Sequence, residues 1–302
     1  MDVAAKTLNP GTLMRRAAIL SLGMSVLLVA IKLFAYLVTH SVSVLASFAD
    51  SALDLFTSSL NILAIRSALT PADAEHRFGH GKAEPLAGLA QGAFIAGSAT
   101  FLVIQAINRF LDPQPVEQGL TALVVMAISL AGSVGVVTYQ RYVVAHTGSL
   151  AVGADKVHYT GDVVTNIGVI VAIVLATGFG WERADPIIAL FVAAVLVWTA
   201  WGVFRVSYDQ LMDHELADEA RDAIIDIAMR HDEVRNVHDL RTRAAGIHSF
   251  IQFHIELDPH ITLTRAHEVS DEVEQAVCAA FPNADVIIHQ DPVGAERPVE
   301  LT

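Results

Sequence analysis

Long apolar runs, broken by short polar segments, dominate the first two thirds of the chain. A membrane-spanning helix needs about 20 mostly apolar residues. Between residues 14 and 66 the apolar stretch is too long for one span, and the polar Thr39–Ser41 divides it into helices over 14–38 and 41–66. Four further runs carry no charged residue: Leu86–Asn108, Gln118–Gln140, Val163–Trp181 and Pro186–Phe204. The pattern therefore predicts six transmembrane helices.

The first apolar run has a second interpretation. Ala17–Ile31 follows Arg15 and Arg16, as the apolar part of a signal peptide would. No convincing small-residue cleavage site follows, and Lys32 interrupts the run. These features favour a first transmembrane helix.

After residue 207 the pattern becomes that of a small water-soluble domain. Residues 216–230 repeat apolar positions with a helical period, and residues 248–257 alternate between polar and apolar. Strands are predicted over 234–243, 248–257 and 284–289, and helices over 216–230 and 262–281, with Thr262 or Thr264 as the N-cap candidate. The order αββαβ predicts two helices covering one side of a three-stranded sheet. The predicted organisation is an N-terminal segment 1–13, a transmembrane domain 14–207, a soluble domain 208–293 and a tail 294–302.

Composition and charge narrow the class of protein. Of 302 residues, 53% are hydrophobic and only 17% are charged, which excludes an ordinary soluble enzyme and a disordered chain. The net charge of −13 arises after residue 207, where 20 acidic residues face 7 basic ones. An acidic chain argues against nucleic acid as a partner. The single Cys278 excludes a disulfide framework and a thiolate metal cluster.

Basic residues predict the orientation in the membrane. Lysines and arginines concentrate in the N-terminal segment and in the 66–83 and 141–156 loops, and they are sparse on the opposite side. By the positive-inside rule, both termini and the acidic domain are expected in the cytoplasm.

Two predicted helices carry polar pairs inside their apolar surroundings. Asp50 and Asp54 are spaced i, i+4, and so are His158 and Asp162. Each pair lies on one helix face, and ionisable residues within a membrane mark ion pathways. Three carboxylates and one imidazole suit a divalent first-row metal. The alternative is that these residues are solvated at helix ends or pair with a base such as Lys32.

Two more clusters offer metal ligands. Asp73, His76 and His80 share a polar loop, and their spacing predicts one face of a helical turn with an open coordination position; a solvated loop without metal is the alternative. After residue 207, histidines and one aspartate fall on predicted strands or at their ends, and adjacent strands can gather them into one cluster. They are His238, His254, His289 and Asp291, with His267 on the second helix.

Several motifs resemble those of one family. The segment Ala49–Asp54, the His158-x3-Asp162 pair and the Phe-Gly-His-Gly-Lys element at 78–82 resemble signatures of the cation diffusion facilitators. Segments 238–243 and 286–292 are similar to its bacterial ferrous-iron and zinc efflux branch, the YiiP type. The resemblance runs from about Arg15 to Pro292.

This resemblance implies a homodimeric antiporter in the bacterial inner membrane that exports Zn(II), or a related metal, in exchange for protons. It implies six transmembrane helices and a metallochaperone-like cytoplasmic α/β domain. The aspartate at the first ligand position implies broader acceptance that includes Cd(II), Fe(II) or Mn(II). Zn(II) is expected as substrate and as a regulatory or structural ion, with no organic cofactor. The implied transport ligands are Asp50, Asp54, His158 and Asp162, and the implied paired-metal ligands near the dimer contact are His238, His254, His267, His289 and Asp291.

Two other functions are compatible with parts of the sequence. A membrane metalloenzyme, such as an intramembrane protease, would need a His-Glu-x-x-His helix or a nucleophile beside a base, and neither motif occurs. A membrane-anchored metal sensor would leave the intramembrane acids without a role despite their energetic cost. The sequence therefore predicts a transporter rather than an enzyme, with the sensor as the alternative.

Overall fold

The protein is described by a computed structural model that covers residues 9–39, 42–111, 120–179, 181 and 183–294. The predicted segment 1–13 and tail 294–302 therefore lie mostly outside the described residues, as does the break at residues 40–41. The chain divides after Tyr208 into a helical unit and a smaller α/β unit.

The described residues of the first unit form six long helices. They are α1 (Pro10–Thr39), α2 (Val42–Ala68), α3 (Ala83–Leu111), α4 (Leu120–Thr147), α5 (Leu150–Phe179) and α6 (Ala184–Leu211). Within the described ranges, four stretches are long and apolar enough to cross a membrane: Pro10–Val38, Ser47–Ala68, Ala83–Leu111 and Ala184–Leu211. Each helix extends beyond the apolar run that predicted it, since polar residues at the helix ends continue the same backbone hydrogen bonding.

Apolar side chains cover the outside of the helical unit. Phe34, Phe191 and Trp198 are each about 70% exposed or more. Exposed aromatic groups on this scale mark a surface that lies against another apolar phase. Inside the unit, α1 packs against α2 and α4, α4 packs against α5, and α3 packs against α2 and α5. The helices thus show the inside-out polarity of a membrane domain.

The second unit has the predicted αββαβ order. Its elements are α7 (Asp218–Met229), β1 (Asn236–Ala245), β2 (His248–Leu257), α8 (Leu263–Ala280) and β3 (Ala284–Pro292). The sheet order is β1-β2-β3, with β1 antiparallel and β3 parallel to the central β2. Thr262 is the N-cap of α8 and accepts a hydrogen bond from the Arg265 backbone N–H, which confirms that prediction.

The alternation along β2 separates the core from the polar face of the sheet. Ile251, Phe253, Ile255 and Leu257 are buried and pack with apolar residues of α7 and α8. Residues at even positions along β2 lie on the other face of the sheet, because side chains alternate along a strand. The two helices therefore cover one face and leave the histidine-bearing face open within this chain.

Candidate metal centres

The first candidate centre joins α2 to α5 inside the helical unit. Asp54, His158 and Asp162 each offer one ligand atom, and these atoms lie within 4.8 Å of one another. His158 Nε2 lies 3.1 Å from Asp54 Oδ1, and both side chains are at most 16% exposed. Two carboxylates and one imidazole converging at this distance can hold a divalent metal ion without sulfur ligands.

Position along the helices argues against the solvated-end alternative. Asp50 and Asp54 are the ninth and thirteenth residues of α2, and His158 and Asp162 are the ninth and thirteenth residues of α5. All four therefore lie two turns or more inside their helices. Asp50 differs from the other three because it is exposed and lies outside the three-residue group.

Lys32 lies beside the aspartate pair of α2. It is 7% exposed, and its Nζ donates a 2.7 Å hydrogen bond to Ser51 Oγ. Ser51 directly follows Asp50, so Lys32 brings a positive charge to the same turn of α2. Lys32, which the sequence suggested as a charge partner for the intramembrane acids, is thus held at this site by its hydrogen bond to the Ser51 hydroxyl.

Sequence reasoning missed a buried acid one turn before His158. Asp155 is 1% exposed, and its Oδ2 accepts a 2.6 Å hydrogen bond from Gln140 Nε2 of α4. The same Gln140 nitrogen donates to Ser21 Oγ of α1 at 2.8 Å. The spacing could have identified Asp155 as part of this site, because Asp155, His158 and Asp162 lie at i, i+3 and i+7 on one helix face.

The second candidate centre is in the loop between α2 and α3. His76 Nδ1 lies 3.2 Å from Asp73 Oδ1, and His80 Nε2 lies 3.5 Å from Asp73 Oδ2. The prediction of a helical turn is wrong, since this segment consists of bends and turns. Gly79, at φ +78°, reverses the chain in a conformation that favours glycine. The three ligands therefore meet through a loop reversal.

Backbone hydrogen bonds hold Asp73 in its ionised form. The N–H of His76 donates to Asp73 Oδ1 at 2.6 Å, and the N–H of Glu75 donates to the same atom at 2.9 Å. The His76 N–H is the main reason that the pKa of Asp73 is lowered from its ordinary value. A carboxylate that stays charged is ready to accept a cation.

The third candidate centre lies on the open face of the sheet. The strand register places His238 opposite His254, and His254 opposite His289, so three histidines form one row across three strands. Asp291 Oδ2 lies 2.8 Å from His254 Nδ1 and 3.3 Å from His238 Nε2. The ligand atoms of these three residues, His238, His254 and Asp291, lie within 4.8 Å of one another.

The charge of Asp291 is favoured by its neighbours. Partial burial by itself would raise its pKa, but the hydrogen bond from His254 and the electrostatic effect of His289, His254 and His238 outweigh it, so the pKa of Asp291 is lowered. His289 Nε2 lies 3.3 Å from Asp291 Oδ1 and completes the row. His267 is not brought to this cluster, because it lies exposed on α8 beside Asp271, at 3.5 Å.

Two carboxylates near this row were also missed from the sequence. Asp239 Oδ2 lies 3.7 Å from His254 Nε2, and Glu256 Oε1 lies 3.7 Å from His238 Nδ1. The sequence could have placed Glu256 beside this row, since it follows His254 by two positions on the same face of β2. Nothing in the sequence placed Asp239 there, because strand alternation puts it on the face opposite His238.

Comparison with known proteins identifies the family. Residues 18–212 match the cation efflux transmembrane domain, and residues 216–293 match the cytoplasmic domain of cation efflux proteins. The chain belongs to the cation efflux family. The two matches cover both structural units, so this is a membrane protein for cation efflux with a helical transmembrane domain and a small α/β domain.

Several relatives within the cation efflux family are similar over almost their full length. The chain is 44% identical over 282 residues to cation-efflux pump FieF of Klebsiella pneumoniae subsp. pneumoniae, covering 93% of this chain and 94% of that protein. It is 45% identical over 285 residues to cation-efflux pump FieF of Cronobacter sakazakii, with the same coverage. Among solved structures, one titled MamM CTD E289H - Nickel form is 27% identical, covers 25% of this chain and 98% of that chain, and gives a TM-score of 0.24.

Proposed function

We propose that this cation efflux protein exports Zn(II), and also Cd(II), Fe(II) or Mn(II), from the cytoplasm in exchange for protons. The observation that carries the proposal is the meeting of Asp54, His158 and Asp162 between α2 and α5. An anionic, sulfur-free set of ligands within a membrane domain favours a divalent cation of borderline or hard character. Asp50 is the proposed fourth ligand, and its carboxylate in place of an imidazole favours the broader range of metals.

Proton exchange follows from the chemistry of these ligands. Carboxylates and imidazole bind a metal only in their deprotonated forms, so metal and protons compete for the same atoms. Alternating access then separates the two events: the centre takes up metal when it faces the cytoplasm and releases it to protons when it faces outward. The second half of the cycle returns protons to the cytoplasm.

We further propose a homodimer in a bacterial inner membrane with both termini cytoplasmic. The Lys and Arg distribution supports this orientation. In such a dimer the open, histidine-bearing face of the sheet binds one or more metal ions near the contact, where they act as structural or regulatory ions. Bound cations would offset the repulsion between two acidic domains.

The test is a flux assay with the purified full chain in sealed proteoliposomes. Metal uptake is followed by stopped flow for Zn(II), Cd(II), Fe(II) and Mn(II), with and without a pH gradient, and protein-free vesicles serve as control. We expect uptake to increase when the vesicle interior is acidic and to be accompanied by proton efflux. Metal uptake at the rate of protein-free vesicles would overturn the transport proposal. Metal uptake that is the same with and without the pH gradient would overturn the proposal of proton exchange.

A further inference from the structure

Each of two histidines in the sheet cluster lies between two carboxylates. His254 directs Nδ1 to Asp291 at 2.8 Å and Nε2 to Asp239 at 3.7 Å. His238 directs Nε2 to Asp291 at 3.3 Å and Nδ1 to Glu256 at 3.7 Å. Asp291 is therefore shared by the inner nitrogens of both rings, while a separate acid lies beside each outer nitrogen.

A local distortion of β1 brings Asp239 to this side of the sheet. The register of β1 on β2 shifts between His238 and Arg241, so the strand contains a bulge. Asp239 lies in this bulge with φ +48°, a left-handed conformation that few residues other than glycine adopt. In a regular strand, Asp239 and His238 would face opposite sides. The strained bulge instead places both side chains beside His254, and such strain concentrates at functional sites.

The outer carboxylates are themselves held in place. Arg241 Nε donates to Asp239 Oδ1 at 3.0 Å, and Asn236 Nδ2 donates to Glu256 Oε1 at 3.3 Å. The cluster whose ligand atoms converge contains neither acid, so neither belongs to the ligand group itself. A histidine that binds a metal through one nitrogen commonly donates its other N–H to a carboxylate, which fixes the tautomer and the ring orientation. Asp239 and Glu256 lie at ion-pair distance, 3.7 Å, from the outer nitrogens. A shift of about 0.7 Å would bring either carboxylate into hydrogen-bond distance.

We propose that Asp239 and Glu256 are positioning residues for a metal ion held by His238, His254 and Asp291. Asp239 orients His254 so that Nδ1 faces the metal, and Glu256 orients His238 so that Nε2 faces it. This inference rests on the proposed metal binding by the sheet cluster and adds two residues that act through the ligands. It also assigns a function to the bulge, which aims Asp239 at His254.

The experiment uses the full chain with the other two candidate centres removed by Asp54→Ala, Asp162→Ala, His76→Ala and His80→Ala. Into this parent we introduce Asp239→Asn, which preserves the volume and tolerates the left-handed backbone, or Glu256→Gln. Asp285→Asn, an exposed change on β3, is the matched control. Zinc affinity is measured by competition with a chelating dye, and ligand geometry is read from the absorption spectrum of bound Co(II).

We expect Asp239→Asn and Glu256→Gln each to weaken zinc binding by about 10- to 100-fold, with an unchanged number of ions bound and a Co(II) spectrum that keeps its ligand type. Zinc affinities equal to that of Asp285→Asn would overturn the inference, and so would a Co(II) spectrum that reports a lost ligand. Thermal unfolding without metal checks the fold, and the two substitutions act through different histidines, so misfolding of one leaves the other as the test. A parent that binds no zinc would overturn this inference, whereas the proteoliposome assay decides the transport proposal separately.

Discussion

His158 Nε2 lies 3.1 Å from Asp54 Oδ1, and this contact joins the thirteenth residue of α2 to the ninth residue of α5. The two residues are 104 positions apart in sequence, since they are residues 54 and 158. Their contact brings Asp54 of α2 together with His158 and Asp162 of α5 in one centre, so metal binding there depends on the relative placement of the two helices.

Removing the charge of Asp54 should abolish transport. Loss of an outer partner of a metal ligand already costs about 10- to 100-fold, so loss of a ligand in Asp54→Asn should lower zinc flux by at least about 100-fold. The measurement is zinc flux in proteoliposomes at equal protein density, with Asp226→Asn, an exposed change on α7, as the control. Flux near the wild-type rate would show that Asp54 is not a ligand.

The thermal stability of the protein should depend on the hydrogen bond from Gln140 to the buried Asp155. Gln140→Ala removes the amide that donates to Asp155 Oδ2, and an unsatisfied buried acceptor costs about 1–3 kcal/mol. We expect a lower midpoint of thermal unfolding in detergent than for Gln105→Ala, which changes an exposed glutamine of α3. Adding Asp155→Ala to Gln140→Ala should cost less than the sum of the two single changes; strict additivity would contradict the coupling.

A methyl group at Gly88 should strain the packing of α3 against α5 and α6. A Cβ there would lie 2.2 Å from Ser207 Oγ and 2.6 Å from Leu150 Cδ2. Gly88→Ala should therefore make the helical unit about 1 kcal/mol less stable than Gly97→Ala, because the ends of the Ser207 and Leu150 side chains must move away from the added methyl group. Gly97→Ala on the same helix is the matched control, since nothing lies within 4 Å of its Cβ. Equal unfolding midpoints for the two variants would refute the close approach.

The acid stability of the α/β unit should depend on Glu272. His231 Nε2 lies 2.9 Å from Glu272 Oε2, and Arg265 Nη1 donates to Glu272 Oε1 at 3.0 Å; together they lower the pKa of Glu272 from its ordinary value of 4.5. A lowered pKa in the folded state stabilises the fold above the pKa of the unfolded chain, and this stabilisation disappears as the pH falls through the folded value.

Glu272→Gln should accordingly reduce thermal stability at pH 7 and approach the wild type between about pH 5 and pH 3. Calorimetry of the full chain at several pH values measures this difference, and Glu274→Gln, exposed on the same helix, is the control. A difference from the wild type that stays constant over this range would mean that the charge of Glu272 is not involved.

The helices and strands of the fold were predictable because each follows from the residue pattern within its own segment. Uncharged runs of about 20 residues predicted the long helices, and the alternation along 248–257 predicted β2 with its correct bounds. The i, i+4 spacing of His158 and Asp162 already placed both side chains on one face of a helix. Helix bounds were less accurate: the apolar run of α5 starts at Val163, whereas the helix starts at Leu150, since polar residues continue it.

Contacts between distant segments required the tertiary structure. Local periodicity fixes which face of a helix a residue occupies, but packing fixes which helix that face meets. Only the structure therefore shows that Asp54 joins the metal-ligand group while Asp50 is exposed, and that Gln140 donates a hydrogen bond to Asp155.

The strand register likewise aligns His238, His254 and His289 across three strands, because register depends on pairing along whole strands. A bulge reverses the side of Asp239, and a loop reversal rather than a helix gathers Asp73 with its histidines. Both are backbone conformations that the surrounding fold stabilises and that residue spacing does not encode.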